Sequence, residues 1–217
     1  MAVSSPVVWG DRVFVSTAVS SDPSAGIKTG LYGDVKPSND VPMHSWRLLA
    51  LDKRTGKVLW ERVAREGVPK TKRHPKSSQA SATPVTDGRH VVVSFGSEGL
   101  YAYDFDGKLL WTRDLGTLNA GWFYDPDYEW GIASSPIIWK NSVIVQCDIQ
   151  KNSFIAAFDV GDGQPAMAHR PRGNPFLVDA DSLRPRRSHR VGGAGDRIHP
   201  RLRPGNRQRA LAPVREF

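Results

Sequence analysis

Apolar and polar positions alternate over short runs through the first three quarters of the chain, and the runs recur. LLALDKRTGKVLW at residues 48–60 returns as LYAYDFDGKLLW at 100–111 and begins a third time as IAAFDVGDGQP at 155–165. Each copy holds an apolar strand ending in Ala-x-Asp, a tight turn closed by Gly, and a second strand that ends in Trp in the first two copies. Period-two patterning broken by a Gly-containing turn predicts a β-hairpin. A second phrase precedes each of these: SSPVVWGDRVFVS at 4–16, SATPVTDGRHVVVS at 81–94 and SSPIIWKNSVIVQ at 134–146. It also reads as a hairpin, with Pro where a missing N–H is tolerated at the start of a strand and Gly, Asp or Asn in the turn. Two hairpins per repeat predict four strands per repeat.

The period supports one architecture. Asp52 and Asp104 are 52 residues apart, and Asp104 and Asp159 are 55 apart. Four antiparallel strands in about 40–50 residues match one blade of a β-propeller. An isolated blade leaves both faces wet, so blades must stack around an axis. The expected fold is all-β: a β-propeller of four-stranded antiparallel blades over residues 1–165, three of a total of seven or eight.

The recurring residues have physical tasks in such a blade. Asp52, Asp104 and Asp159 can accept backbone N–H groups within their own turns. Gly56, Gly107 and Gly163 supply positive φ. Ala50, Ala102 and Ala157 leave room for a large neighbour, and Trp60 and Trp111 are suited to fill it against the adjacent blade. The pattern Ala-x-Asp-x-x-Thr-Gly-Lys-x-x-Trp, complete at Ala50, Asp52, Thr55, Gly56, Lys57 and Trp60, resembles the tryptophan-docking repeat of pyrroloquinoline-quinone (PQQ)-type propellers. Ala102, Asp104, Gly107, Lys108 and Trp111 match it with one turn residue fewer. The resemblance covers residues 4–165. It implies the propeller fold and an extracytoplasmic location. It leaves function open, because quinone-dependent dehydrogenases and a bacterial outer-membrane assembly lipoprotein share the blade.

Three long connections interrupt the strands. Residues 16–45 are rich in Gly, Pro, Ser and Asp and read as a surface excursion or a contact loop. Residues 64–80 contain KTKRHPK, four Lys and Arg residues around His74, read as a solvated charge run or a patch for an acidic partner. Residues 112–131 contain GWFYDPDYEWG. Trp122, Tyr124, Asp125, Asp127, Tyr128, Glu129 and Trp130 form the candidate contact loop, whose aromatic residues either pack against the inter-blade surface or anchor a partner. Asp125, Asp127 and Glu129 alternate like the start of a calcium loop. Trp130 and Pro136 stand where that loop needs Gly and Glu, so no metal is assigned.

Charge then divides the chain. There are 30 basic and 22 acidic residues. Residues 166–217 hold 12 Arg, no Lys and four acids, so the net +8 lies entirely there. Such a segment, Arg-, Pro- and Gly-rich, reads as disordered. The repeat places a Trp at position 167, where Met167 stands. Met is encoded only by ATG and Ala168 begins with G, so a one-nucleotide shift restores TGG, the Trp codon. Residues 166–217 are read as out-of-frame translation at the end of a fragment, with a genuine basic tail that binds nucleic acid in a salt-dependent way as the alternative, and sequencing the DNA through the Pro165 codon tests this. That reading argues against nucleic acid as a partner.

Signatures of common catalytic sites are missing: there is no G-x-S-x-G, H-E-x-x-H, P-loop or Rossmann fingerprint. Cys147 is alone, so the chain cannot form its own disulfide, and no apolar run approaches the ~20 residues of a membrane span. The favoured reading is a non-catalytic scaffold, without cofactor, for a protein or small-molecule partner. The alternative is a piece of a PQQ-dependent dehydrogenase acting on alcohols or sugars, with PQQ and calcium. The resemblance implies that such an enzyme also carries adjacent cysteines, a stacking Trp and Asp, Glu and Asn around the calcium, and no Cys pair exists here.

Overall fold

The structure, a computed structural model, describes residues 4–23, 26–27, 36–38, 41–122, 125 and 127–169. Among them are twelve strands and one short 3-10 turn, Gly96–Glu98. The strands form three four-stranded sheets. Blade 1 is β1 (Val7–Trp9), β2 (Arg12–Ser20), β3 (His44–Asp52) and β4 (Val58–Gly67). Blade 2 is β5 (Val85–Thr86), β6 (His90–Ser94), β7 (Leu100–Asp104) and β8 (Leu109–Arg113). Blade 3 is β9 (Ile137–Trp139), β10 (Ser142–Cys147), β11 (Phe154–Asp159) and β12 (Pro165–His169). Each sheet is an antiparallel meander in chain order. The first strands of successive blades approach one another, β1 near β5 and β5 near β9. No helix among the described residues is long and apolar enough to cross a membrane.

Blade 2 shows why its strands are apolar on both faces. Val91, Val93, Tyr101 and Tyr103 point towards blade 1 and join Phe14, Trp46, Leu48 and Ala50 in one core cluster. Val92, Leu100 and Ala102 point the other way and join Val143, Val145, Ala156 and Phe158. Side chains in a strand alternate between faces, so a blade clamped between two others must be apolar at consecutive positions. Cys147 is part of the second cluster, and burial pushes its thiol pKa up to about 12.

Strand ends differ from the sequence reading in two connections. β2 runs on to Ser20, four residues past the expected boundary, because Ser16 and Ala18 continue the face buried against blade 2. β4 runs to Gly67, paired with β3 as far as His44. In blade 3, β12 pairs with β11 through His169, so regular pairing continues past residue 165, and Met167 lies opposite Ala157 as Trp60 lies opposite Ala50 and Trp111 opposite Ala102. The reading of residues 166–217 as disordered and out of frame meets strand β12 at residues 166–169 and from residue 170 lies outside the described residues.

Candidate functional site

The meander sends chain connections alternately to two ends of the blades. At one end lie the short turns of the repeat motif; at the other lie the three long connections. The two ends do different jobs.

At the turn end, each Asp closes its own turn. Asp52 Oδ1 accepts the N–H groups of Arg54 (3.1 Å) and Thr55 (2.7 Å) and the Thr55 hydroxyl (2.6 Å). The Thr55 hydroxyl and N–H hold the Asp52 carboxyl below its ordinary pKa of 3.8. Asp104 Oδ1 accepts from Asp106 and Lys108, and Asp159 Oδ1 from Gly161 and Asp162. Gly56, Gly107 and Gly163 have φ of 70°, 84° and 69°. Lys57 and Lys108 contribute backbone groups to these turns.

The same turns receive the preceding blade. Trp60 Nε1 donates to the Phe105 carbonyl at 3.2 Å, and Trp111 Nε1 to that of Val160 at 2.8 Å. A Cβ on Gly107 would stand 2.8 Å from the Trp60 ring, and one on Gly163 2.6 Å from the Trp111 ring. Arg62 Nε donates to the Gly107 carbonyl at 2.7 Å, and Arg113 Nε to that of Gly163 at 2.6 Å. The working joint is therefore Trp-x-Arg against a glycine turn. Sequence reasoning found the Trp and missed the Arg, although Arg follows Trp by two residues in both copies. It also missed an inter-blade chain built on the residue before each Pro: the Ser5 N–H donates to the Thr83 hydroxyl (3.1 Å), and the Thr83 N–H to that of Ser135 (2.9 Å).

At the loop end, the three connections meet. The Ser38 N–H donates to the Arg73 carbonyl at 2.8 Å, and Arg73 Nη2 to that of Gly26 at 3.3 Å. Arg73 Nη1 donates to the Ser77 carbonyl at 2.8 Å. Arg73 is only 7% exposed, so the basic run is not a simple solvated stretch: its middle is buried as the pin of its own loop. Lys72 and Lys76 are exposed. Glu98, 5% exposed, anchors the run from below, accepting the Lys70 N–H at 2.7 Å and pairing with Arg65 Nε at 2.6 Å.

The candidate contact loop folds back on itself. Gly121 bridges Glu129, the Trp122 N–H donates to the Tyr128 carbonyl (3.0 Å), and the Trp130 N–H to that of Ala120 (2.7 Å). Trp122 meets Tyr128 edge-on at 5.7 Å, Tyr128 meets Trp130 at 6.4 Å, and Trp130 meets His74 at 5.3 Å. The aromatic residues thus pack mainly on each other and on the neighbouring connection, while Trp122 stays 47% exposed. The carboxylates serve the loop: Asp125 Oδ1 accepts the Asp127 N–H and Glu129 Oε1 accepts Asn119 Nδ2. Asp127 is exposed. Tyr124 lies outside the described residues.

Cys147 is packed into the core between blades 2 and 3, and the Asp125 and Glu129 carboxylates accept hydrogen bonds within their own loop. Among the described residues no group of three His, Cys, Asp or Glu could hold a metal.

A family model described as outer membrane protein assembly factor BamB matches residues 43–182. No curated protein matches the chain. Among solved structures it is similar to a europium-containing methanol dehydrogenase, with 16% identity over 83% of this chain and 27% of that one, at a TM-score of 0.47. BamB from Moraxella catarrhalis gives 18% identity over 60% of this chain and 33% of that one, with a TM-score of 0.36. The quinohemoprotein alcohol dehydrogenase from Comamonas testosteroni gives 17% over 78% and 20%, with a TM-score of 0.42. The chain spans a third or less of the length of each of these structures.

Proposed function

The chain belongs to the family of PQQ-like repeat propellers whose model is described as outer membrane protein assembly factor BamB, and on that premise we propose that it is a non-catalytic binding scaffold that works outside the cytoplasm and holds a protein partner on its loop end. The observation that carries the reading is the convergence of the three long connections into one hydrogen-bonded surface, with Trp122, Lys72 and Lys76 exposed on it. Loops held by a rigid frame are where propellers and related scaffolds present contacts. An exposed Trp beside charged groups has the composition of an interface anchor.

A photo-crosslinking residue placed at Trp122, and separately at Val63 on the outer strand β4, tests this in the cell envelope. The reading expects a discrete protein adduct from position 122 and little from position 63. Adducts from 63 alone would move the contact surface to the blade edge. The dehydrogenase alternative rests on the complete motif at residues 50–60. Alcohol oxidation by the chain on addition of PQQ and calcium, with an artificial electron acceptor, would establish it in place of the scaffold.

A further inference from the structure

We propose that blade 3 of one copy of this chain docks head to tail on blade 1 of a second copy, with Trp139 of the first seated on Gly10 of the second. The joints inside the molecule supply the pattern. Each blade opens on a hairpin whose turn follows Trp9 in blade 1, Asp87 in blade 2 and Trp139 in blade 3, and the next residue is Gly10, Gly88 and Lys140 in the same order. At the first joint Trp9 lies flat against Gly88, where an added Cβ would run into the indole ring. At the second joint both partners are replaced: Asp87 stands in place of the Trp, and Lys140, at φ 53°, in place of the Gly. Knob and seat are present together or absent together. On the two outer faces of the three-blade unit both are present. Trp139 is 54% exposed, with Lys140 Nζ 4.4 Å from its ring centroid, and a Cβ on Gly10, whose φ is 60°, meets nothing within 4 Å.

The faces around knob and seat match in the same way. Val91 and Val93 of blade 2, and Val143 and Val145 of blade 3, are buried against the blade before them. Their counterparts in blade 1, Val13 and Val15, are only half-buried, as are Leu49 and Leu51 opposite them, and Val8 beside them is exposed. At the other end, Val85 packs into the core between blades 2 and 3, while its counterpart Ile137 is exposed on the face of β9 that also carries Trp139. Gly56 is a second open seat, built like the filled ones at Gly107 and Gly163. Lys53 fixes it beside the first, its Nζ donating to the Gly10 carbonyl and its N–H to that of Asp11, each at 2.7 Å. Charge agrees as well: the blade 1 turn at residues 52–57 carries Lys53, Arg54 and Lys57 against Asp52, and the blade 3 turn at residues 159–164 carries Asp159 and Asp162 with no base. The first joint closes such a pair between neighbouring blades, Arg12 Nη2 to Asp106 at 3.0 Å, and opposite charges steer two surfaces into register. One chain thus presents both halves of a joint that it already uses, which makes a second copy the occupant.

Sedimentation velocity of the 217-residue chain across a wide range of concentration tests the contact. The proposal expects a mass that rises above that of one chain with concentration, because a head-to-tail contact leaves a free face at each end until a ring closes. Trp139→Ala and Gly10→Ala each weaken association by about tenfold or more. Gly116→Ala, at a glycine with positive φ and open space outside the joint, leaves it unchanged. Mixing the variants separates this contact from unspecific adhesion. The Trp139→Ala chain keeps the seat and the Gly10→Ala chain keeps the knob, so an equimolar mixture forms a heterodimer at a concentration where each variant alone is a monomer, and it stops at two chains. The mass of one chain at every concentration, association untouched by either variant, or no recovery on mixing overturns the proposal. Should Gly10→Ala melt earlier than Gly116→Ala, Val8→Glu, at an exposed position on the same face, is mixed in its place.

Discussion

Gly56 and Gly107 occupy the same place in successive repeats and have similar positive φ, yet their surroundings differ. Nothing lies within 4 Å of a Cβ built on Gly56, while one on Gly107 would meet the Trp60 ring at 2.8 Å. Gly56→Ala should therefore cost only the backbone strain, about 1 kcal/mol, and Gly107→Ala about 2–4 kcal/mol, since strain and a displaced Trp add. Denaturant melts of the two variants check the difference. Asp52 offers a second test. Its carboxyl is stabilised as the anion by the Thr55 hydroxyl and N–H. The lowered folded value means its contribution is complete above pH 3.8 and fades as pH falls through that lowered value. Thr55→Val should move the Asp52 titration back up, read by NMR. Cys147 has the opposite sign: the unfolded thiol releases its proton near 9.0 and the folded one only near 12. Its contribution is full below pH 9 and is lost between these values. Thiol reagents at pH 8 should leave it unmodified until the chain unfolds. The turn residues were legible in the sequence because Asp, Gly and Thr act on neighbours two to four positions away. What each turn touches in the next blade was not, because that partner lies about 45–50 residues distant.

At the level of elements, the strands were readable from alternation, and the joints between blades only in part. Large aromatic residues just after the repeat's glycine turn mark where blades meet, and Trp60 and Trp111, each the third residue of its strand, do so here. Arg62 and Arg113 look like ordinary surface charge in an outer strand, and their role appears only when the next turn's carbonyl is in place. Trp60→Ala should cost about 3–5 kcal/mol by opening the first joint. Arg62→Ala should cost about 1.5–3 kcal/mol, the value of a charge-assisted hydrogen bond. A double-mutant cycle between Trp60 and Gly107 should return a coupling above about 0.5 kcal/mol, whereas Trp60 paired with Gly163, in a different joint, should be additive. The ends of β2 and β4 were misjudged for a related reason: polar and small residues such as Ser16 and Ala18 look like loop in isolation, and are strand because blade 2 covers them.

For the whole molecule, sequence gave the class of the loop end but not its construction. Aromatic density marked residues 121–131 as unusual, and charge marked residues 70–76. That the two runs touch, through Trp130 and His74, and that Arg73 is a buried pin rather than a solvated charge, follows from blades bringing distant connections to one end. The scaffold reading depends on that end being formed before any partner arrives, because a preorganised surface avoids the ordering cost of binding. Amide hydrogen exchange of the 217-residue chain measures this directly. The N–H groups of Ser38, Lys70, Trp122 and Trp130 are each hydrogen-bonded across the loop end, so they should exchange far more slowly than free peptide, approaching the rate of the β6 and β7 core. Exchange of these four amides at free-peptide rates, with the blade strands still protected, would contradict the account, leaving three blades without a surface to hold a partner.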